Sequence, residues 1–385
     1  MEIRLAIVGM GAAARQLLPA VEKHPGVRLT AVCEPVDAVR EAAAARYGVR
    51  GVATIDELFA LADVDAVYIA TPTDLHAQHV VAAAAAGKHV LVEKPMATTL
   101  AEATAMIEAA ERAGVVLTVG HSHSFDEPYR AMRELIASGR LGRARLLHNI
   151  YYSDWVYRPR RPDELDERLG GGITFRQGAH QFDILRLLGG GLVRSVRAQT
   201  FDWVPERPVI GAHSVFLTFD DGAVATAIYN GYGLFPTAEI TFGAGEIGYP
   251  NTAVPGASRA AMESATPADE AARKRSRASA PAETALPPMQ PFFGWTLVSC
   301  ERGDIRQSAT GLYVYTSAGR EELPLRLDRS TREPVIDEFA GAIAGARPSL
   351  HDGRWGRANL EVCVATIESS RTGREIELAY QVAVG

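Results

Sequence analysis

Lysine is scarce in this 385-residue chain. Lys23, Lys88, Lys94 and Lys274 are the only lysines among 40 basic residues, and all the others are arginine. Arginine keeps its proton in a protein whereas lysine can release it, so a ligand-facing lysine is a candidate for proton chemistry. Cysteine is scarcer still. Cys33, Cys300 and Cys363 stand far apart, with no CxxC pair and no His/Cys spacing of a zinc site. Such scatter fits a reducing compartment. Apolar runs such as 80–86 are far below the ~18 residues of a membrane span. Positive charge is not in excess either: 46 acidic residues leave a net charge of −6. That balance argues against a nucleic-acid partner. The opening residues, MEIRLAIVGMG, have no basic segment, apolar run or cleavage site of a secretory signal. The expectation is a soluble, cytoplasmic protein without a membrane partner.

The composition, 47% hydrophobic and 22% charged, is that of a globular protein, and the length suggests two domains. Over the first third, apolar runs at 3–8, 28–33, 66–70, 89–93 and 115–119 alternate with helical patterns at 12–23, 35–47, 55–61, 76–86 and 100–113. Strands alternating with helices imply βαβ units and a parallel sheet. Beyond about residue 122 the pattern changes. Helices are expected at 128–138 and 174–188, and strands at 144–153, 195–201, 214–219, 223–229, 238–242, 304–308, 311–316 and 321–325. Asp220-Asp221-Gly222 is a hairpin signal. Helices at 334–344 and 355–370 close the chain. The fold class is therefore α/β followed by α+β with an antiparallel sheet, divided into 1–122 and 123–385. Residues 250–290 are rich in Ala, Ser and Pro and carry Arg273, Lys274, Arg275 and Arg277. They read as an irregular, solvated insertion, or else as a lid or an arm toward a neighbouring subunit.

Gly9-Met10-Gly11-Ala12-Ala13-Ala14 is GxGxxA, placed after a strand and opening a helix. In that context it reads as a dinucleotide-binding turn. Gly9 permits the tight turn, Gly11 lets a pyrophosphate approach, and Ala14 allows close helix–strand packing. Glu34 ends the second strand, where an acid accepts hydrogen bonds from the adenosine ribose. A carboxylate there repels a 2′-phosphate, which favours NAD; Arg40, six residues on, keeps NADP open. Thr71-Pro72-Thr73 and Glu93-Lys94-Pro95 follow the third and fourth main strands, at the carboxyl edge where such sheets bind ligands. A residue before proline is driven toward extended geometry, so Lys94 either points into the cleft or is a surface lysine neutralising Glu93. His76 and His79, three apart on a helix, form a possible metal pair without an evident third ligand, so no metal is expected.

The order GxGxxA, Glu34, Thr71-Pro72, AGKHVLVEKP at 86–95 and GGGITFRQGAHQFD at 170–183 resembles the glucose-fructose oxidoreductase/inositol dehydrogenase (Gfo/Idh/MocA) family. The resemblance covers nearly the whole chain apart from 250–290. It implies an NAD-binding Rossmann domain and an α+β domain with an open, mainly antiparallel sheet. It also implies hydride transfer between a nicotinamide and a carbinol carbon, and homodimers or homotetramers joined through the sheet face. Lys94 matches the lysine of the family's EKP element and His180 its catalytic-region histidine. From the residues alone, His180 either relays a proton or caps its helix, and Asp183 either orients it or binds backbone. Two departures stand out. Arg176 occupies a position where the family usually has Asp, and Gly120-His121-Ser122-His123-Ser124-Phe125 replaces a segment that usually carries arginines.

FRQGAHQFD at 175–183, FFGWTLVSCERGDIRQS at 292–308 and Tyr157-Arg158-Pro159-Arg160-Arg161 resemble the phthalate cis-dihydrodiol dehydrogenase branch. The implied substrate is a carboxylated ring cis-diol, oxidised to a catechol, with Arg176 offering a planar fork to the carboxylate. The expected cofactor contacts are Gly9, Gly11, Ala12, Ala13, Ala14, Glu34, Thr71, Pro72, His76, Glu93 and Lys94. The expected substrate contacts are Lys94, His123, Tyr157, Arg158, Arg176, Gln177 and His180, with Lys94 and His180 as the proton-transfer pair. His121 is a weaker candidate, and Trp155 is as readily a core residue. A sugar or cyclitol dehydrogenase, or a catalytically silent nicotinamide-binding sensor, are the competing readings.

Overall fold

A computed structural model describes residues 2–120, 122–279 and 285–385, and the chain divides into two compact units. Among the described residues the first unit holds 2–120 and 275–279 and returns for Arg332–Arg357. Its strands are β1 (Ile3–Val8), β2 (Val27–Cys33), β3 (Arg50–Val52), β4 (Ala66–Ile69), β5 (His89–Val92) and β6 (Leu117–Val119). They pair in parallel in the order β3-β2-β1-β4-β5-β6. Residues 5–8, 66–69 and 90–92 are buried without interruption, as strands covered on both faces must be. Helices α1 (Ala12–Lys23), α2 (Asp37–Tyr47), α3 (Ile55–Phe59), α4 (His76–Ala85) and α5 (Leu100–Ala113) provide the cover. Thr54 and Thr99 open α3 and α5 with capping boxes completed by Glu57 and Glu102. The strand order reverses between β1 and β4, and the chain turns that follow them are where such sheets bind ligands.

The return segment brings the helix Glu333–Ile343 and the residues after it back to β6. Glu338 Oε1 accepts from the His351 amide at 2.9 Å, His351 Nδ1 at 3.0 Å and the Ser349 hydroxyl at 2.8 Å. His351 O then receives the Val119 N–H at 2.7 Å. A single division at 122/123 does not describe this return, because nothing in the local pattern of 334–357 distinguishes it from its neighbours.

The second unit holds a nine-stranded sheet: β7 (Ala144–Tyr152), β8 (Val193–Phe201), β9 (Ala212–Phe219), β10 (Val224–Asn230), β11 (Trp295–Cys300), β12 (Gly303–Gln307), β13 (Gly311–Thr316), β14 (Gly319–Pro324) and β15 (Ile376–Glu377). The order is β14-β13-β12-β11-β7-β10-β9-β8-β15, antiparallel throughout except for β7 with β10. Burial alternates along β9 and β10, so the sheet has one packed and one open face. Helices α6 (Glu127–Ala137) and α7 (Ala179–Gly189) pack with the sheet. The run 238–242, expected as a strand, is instead a 3₁₀ turn at Thr237–Ile240. Thr237 Oγ1 accepts the Tyr152 N–H at 2.6 Å and donates to Tyr152 O, so a side chain replaces the next residue pairing.

Residues 250–290 differ from the irregular insertion expected. They contain α8 (Ala257–Glu263) and α9 (Pro267–Ser279); residues 280–284, and the side chains of Arg275 and Arg277, lie outside the described residues. Ion pairs fasten these helices to the segment 154–164. Glu270 Oε1 accepts the Arg160 N–H at 2.7 Å and Arg207 Nη2 at 2.5 Å. Lys274 Nζ lies 2.7 Å from Glu164 Oε2, and Ser258 donates to Asp154. Burial alone would push the Glu164 carboxyl up, but Lys274 and Arg160 outweigh it and hold it down at about 2. Glu338 is likewise held at about 2, with His351 outweighing burial.

Both carboxyls titrate lower folded than unfolded, so their stabilisation is complete above the ordinary carboxylate range and is lost as pH falls toward 2. Thermal melts of the parent should therefore drop steadily below about pH 5. Glu164→Gln should cost about 3 kcal/mol at pH 7, because it leaves buried cations unpaired, and that gap should close toward pH 2. A gap independent of pH would contradict the assignment.

Candidate active site

The first unit supplies a phosphate cradle. Gly9 has φ +88°, and a Cβ there would sit 2.9 Å from Ala70 O; a Cβ on Gly11 would meet nothing within 4 Å. One glycine is demanded by backbone crowding and the other borders open space. Helix α1 starts at Ala12 with no side-chain cap and no acid in its first turn, so the amides of Ala12, Ala13 and Ala14 and the helix dipole are available to an anion. These features fit a dinucleotide pyrophosphate.

Glu34 shapes this loop directly. Its Oε2 accepts the Met10 N–H at 3.0 Å and its Oε1 the Val36 N–H at 3.1 Å. Each oxygen keeps a lone pair for a ribose hydroxyl. Arg40, which left NADP open, is turned inward. Its Nη1 donates to Glu34 O at 3.0 Å and its Nη2 to Asp37 Oδ1 at 2.5 Å.

The turns after β4 and β5 are tied together by one residue. His76 is 1% exposed, and its ring nitrogens lie 3.0 Å from Pro95 O and 3.0 Å from Thr71 O. Expected against the cofactor, it spans the Thr71-Pro72 and Glu93-Lys94-Pro95 turns as a brace. His79 bonds the Thr71 hydroxyl through Nδ1 at 3.1 Å, so the two histidines of the supposed metal pair have separate partners. Tyr68, buried on β4, donates to Glu93 Oε1 at 2.5 Å, and Glu93 Oε2 accepts the Lys94 N–H at 3.2 Å. Burial, then Glu93, pushes the Tyr68 phenol well above its ordinary range. Lys94 is half-buried at the end of β5.

In the second unit, a π-helical turn at Thr174–Gly178 runs into α7 and presents His180, 5% exposed. A buried chain of hydrogen bonds sets this turn. His213 Nδ1 lies 3.2 Å from Thr174 Oγ1, and His213 Nε2 lies 2.9 Å from Gln181 Oε1. Burial pushes His213 down to about 3, so its ring is neutral, with one donor and one acceptor nitrogen. Gln181 Nε2 donates to Asn149 Oδ1 at 2.6 Å, and Asn149 Nδ2 to Phe293 O at 2.8 Å. A Cβ on Gly178 would stand 2.7 Å from His213 Cε1, so only glycine lets the turn close on this ring. Phe293 lies against both His180 and His123, with ring centroids 4.7 and 4.5 Å away. His123 Nδ1 reaches Asp126 Oδ2 at 2.7 Å, and Asp183 accepts from the Ser124 hydroxyl. His121 lies outside the described residues.

The cationic candidates are differently placed. Arg176 Nη2 is 3.4 Å from Asp163 Oδ2, a carboxylate that Arg161 already holds at 2.9 and 2.7 Å. Gln177 Oε1, on the next residue in the chain, is buried and has no donor among the described residues. Arg158 pairs with Asp154 at 2.6 Å, and its charge acts on Tyr151, which packs on Phe293. Tyr157 is buried under the Arg259 guanidinium and borders a cavity of about 680 Å³ with Trp203, Arg207 and Met262. Trp155 is 1% exposed, with Arg160 stacked 3.9 Å above its ring; it is a core residue. His180 and His123 are thus brought together, whereas Tyr157 opens on the cavity under α8 and α9. Asp126, Phe293, Gln181 and His213 escaped the reading of the sequence. The His-x-x-Asp spacing at 123–126 and the FFGW run were their traces.

Comparison with known proteins agrees with this architecture. Residues 3–121 match a family model described as an oxidoreductase family with an NAD-binding Rossmann fold. Residues 129–240 match that of the GFO/IDH/MocA C-terminal domain. The chain is 37% identical over 382 residues to the 1-carboxy-3-chloro-3,4-dihydroxycyclohexa-1,5-diene dehydrogenase of Comamonas testosteroni, covering 96% of this chain and 95% of the relative. It is 34% identical to the inositol 2-dehydrogenase of Rhizobium meliloti (strain 1021), over 51% of this chain and 58% of that protein. A solved structure from Bordetella bronchiseptica RB50, itself only provisionally a dehydrogenase, superposes with a TM-score of 0.93 at 41% identity, covering 98% and 100% of the two chains. Among the described residues no helix is long and apolar enough to cross a membrane, and no cluster of three or more His, Cys, Asp or Glu is placed to hold a metal ion.

The inward-turned Arg40 yields a cofactor prediction. Replacing Glu34 and Asp37 together by Ser removes the repelling carboxylate and releases the guanidinium. The kcat/KM ratio for NADP over NAD should rise at least about tenfold, the scale of one charged hydrogen bond. An unchanged ratio in steady-state assays would refute the part given to Glu34.

Proposed function

The chain belongs to the Gfo/Idh/MocA family of NAD-dependent oxidoreductases, and from that membership we propose that it oxidises a carboxylated cyclic cis-diol to the corresponding catechol. The observation that carries this reading is the likeness, over almost the full length of both chains, to a dehydrogenase named for a carboxylated dihydroxycyclohexadiene. Arg176, and Gln177 after it in the chain with an open buried acceptor, support it, because a guanidinium suits a carboxylate and an amide oxygen suits a hydroxyl.

When bound, NAD supplies the oxidising power by accepting hydride from the carbinol carbon. Ala12, Ala13 and Ala14 offer amides to its pyrophosphate, Glu34 takes its ribose hydroxyls, and Thr71, Pro72 and Glu93 shape the floor beside it. Lys94 orients the substrate hydroxyl and lowers its pKa with a nearby positive charge. His180 takes the proton. Loss of one hydride and one proton leaves a hydroxyketone, which tautomerises to the aromatic ring and draws the reaction forward. Arg176 and Gln177 hold the substrate's carboxylate end, with His123, Tyr157 and Arg158 as further contacts. A cyclitol substrate is the second reading, favoured by the likeness to an inositol dehydrogenase over half the chain.

The same reading includes self-association through the open face of the sheet. Arg197, Phe216, Thr226, His148 and Leu297 form one cross-strand row on that face. Phe216 is 42% exposed, and Leu146 on β7 is 37% exposed. Apolar surface of this kind is what a second copy would cover. Light scattering should show a dimer or larger for the parent and a monomer for Phe216→Glu combined with Leu146→Lys. A monomeric parent would refute the arrangement.

NADH formation with carboxylated cis-diols, inositols and plain sugars tests the substrate class. Carboxylated diols should lead by about 10²-fold in kcat/KM, and Arg176→Asp should erase about tenfold or more of that lead. Lys94→Ala should lose ~10²–10⁴-fold in kcat while NADH still binds by fluorescence. Inositol as the best substrate, or full turnover in Lys94→Ala, would overturn the reading.

A further inference from the structure

His123 and Asp126 form a couple more elaborate than a substrate contact requires. His123 Nδ1 donates to Asp126 Oδ2 across 2.7 Å, and the two side chains are 4% and 0% exposed. A carboxylate only accepts, so the proton of this bond sits on Nδ1 of the imidazole. The His123 ring stands 4.7 Å from that of His180, crossed at 66°. Both rings lie against Phe293, whose main chain is held by Asn149 and by Tyr129. Other ionisable groups approach from the packed elements. Asp183 on α7 is engaged by Ser124, and Tyr151 on β7 meets Phe293 while its hydroxyl donates to Glu246 at 2.6 Å. Asp126 thus brings a carboxylate to one member of an imidazole pair.

We propose that His180 and His123 act as a two-imidazole proton relay, with Asp126 as the positioning residue that makes His123 the resting place of the proton. The relay rests on the reading of His180 as the proton acceptor. The carbinol O–H bond breaks and an N–H bond forms on His180. The proton then passes to His123, where Asp126 balances the charge. The carbinol C–H bond breaks with its electron pair leaving as hydride, so the substrate is oxidised, the nicotinamide is reduced, and no other reactant is consumed.

Asp126→Asn removes the balancing charge and makes the imidazole pair less basic. Its kcat should fall about 10²-fold, and the acid limb of its kcat–pH profile should move about one unit lower. The KM for NAD should stay within about twofold, and Asp126→Glu should recover most of the loss. A second measurement needs neither cofactor nor the Asn variant: imidazole Cε1–H titrations by NMR in the unaltered protein should show His123 and His180 with mutually displaced midpoints, as coupled sites do. Independent single-site curves would overturn the relay. So would an Asp126→Asn enzyme with parental kcat and pH profile alongside a crippled His180→Ala. If His180→Ala itself keeps full turnover, the underlying assignment of His180 falls and the relay falls with it.

Discussion

A buried chain of hydrogen bonds, from Thr174 through His213, Gln181 and Asn149 to the carbonyl of Phe293, is the constraint on which the second unit's site depends. Each link is a polar group withdrawn from water, and leaving one unmade costs about 1–3 kcal/mol. The chain ties the π-helical turn, helix α7 and the strands beneath it at one place. Because His213 is neutral, it can accept from a hydroxyl at one nitrogen and donate to an amide oxygen at the other. A charged ring would have no use for the Thr174 hydroxyl proton. His180 sits between Gly178 and Gln181, two residues that this chain immobilises, and Phe293 at its far end is the ring against which His180 and His123 rest. The rigidity is therefore built from polar satisfaction, and the aromatic contacts inherit their positions from it.

The first unit was legible in the sequence because its determinants are local. Fully buried parallel strands read as unbroken apolar runs, and threonine caps with glutamate three residues on mark helix starts wherever they occur. The return of Arg332–Arg357 to that unit was not legible, because it depends on Glu338 meeting His351 and on His351 meeting β6. The helices of 250–290 are an intermediate case. Thr266-Pro267-Ala268-Asp269 is a helix start with proline at its first position, and Thr266 and Asp269 do bond reciprocally. The Ala, Ser and Pro content obscured that signal, and only tertiary partners reveal that Glu270 and Lys274 are anchors.

The cofactor loop and Lys94 stood out because their chemistry requires fixed neighbours in sequence: glycines at a turn, an acid at a strand end, a proline after the lysine. The details that bear on selectivity lay elsewhere. Arg40 looked like a phosphate ligand until Asp37 and the Glu34 carbonyl were seen to hold it. Arg176 looked like an unoccupied fork, yet it shares Asp163 with Arg161. Spacing identifies which charges are present. Only the three-dimensional partners show how much of each charge is already answered.

Histidine makes the point most sharply. Besides His180, four buried imidazoles among the described residues have four sets of partners: two carbonyls for His76, a hydroxyl and an amide for His213, Glu338 for His351, and Asp126 for His123. Backbone and amide partners turn the ring into a brace between the segments that it joins. A carboxylate favours the cation, but that alone does not make a proton acceptor: the His351–Glu338 pair spends its hydrogen bonds on closing the first unit's sheet edge. What separates His123 from His351 is a second imidazole at ring-contact distance. A protonatable pair has a use only where a proton can arrive, and His180 is the group through which it would come.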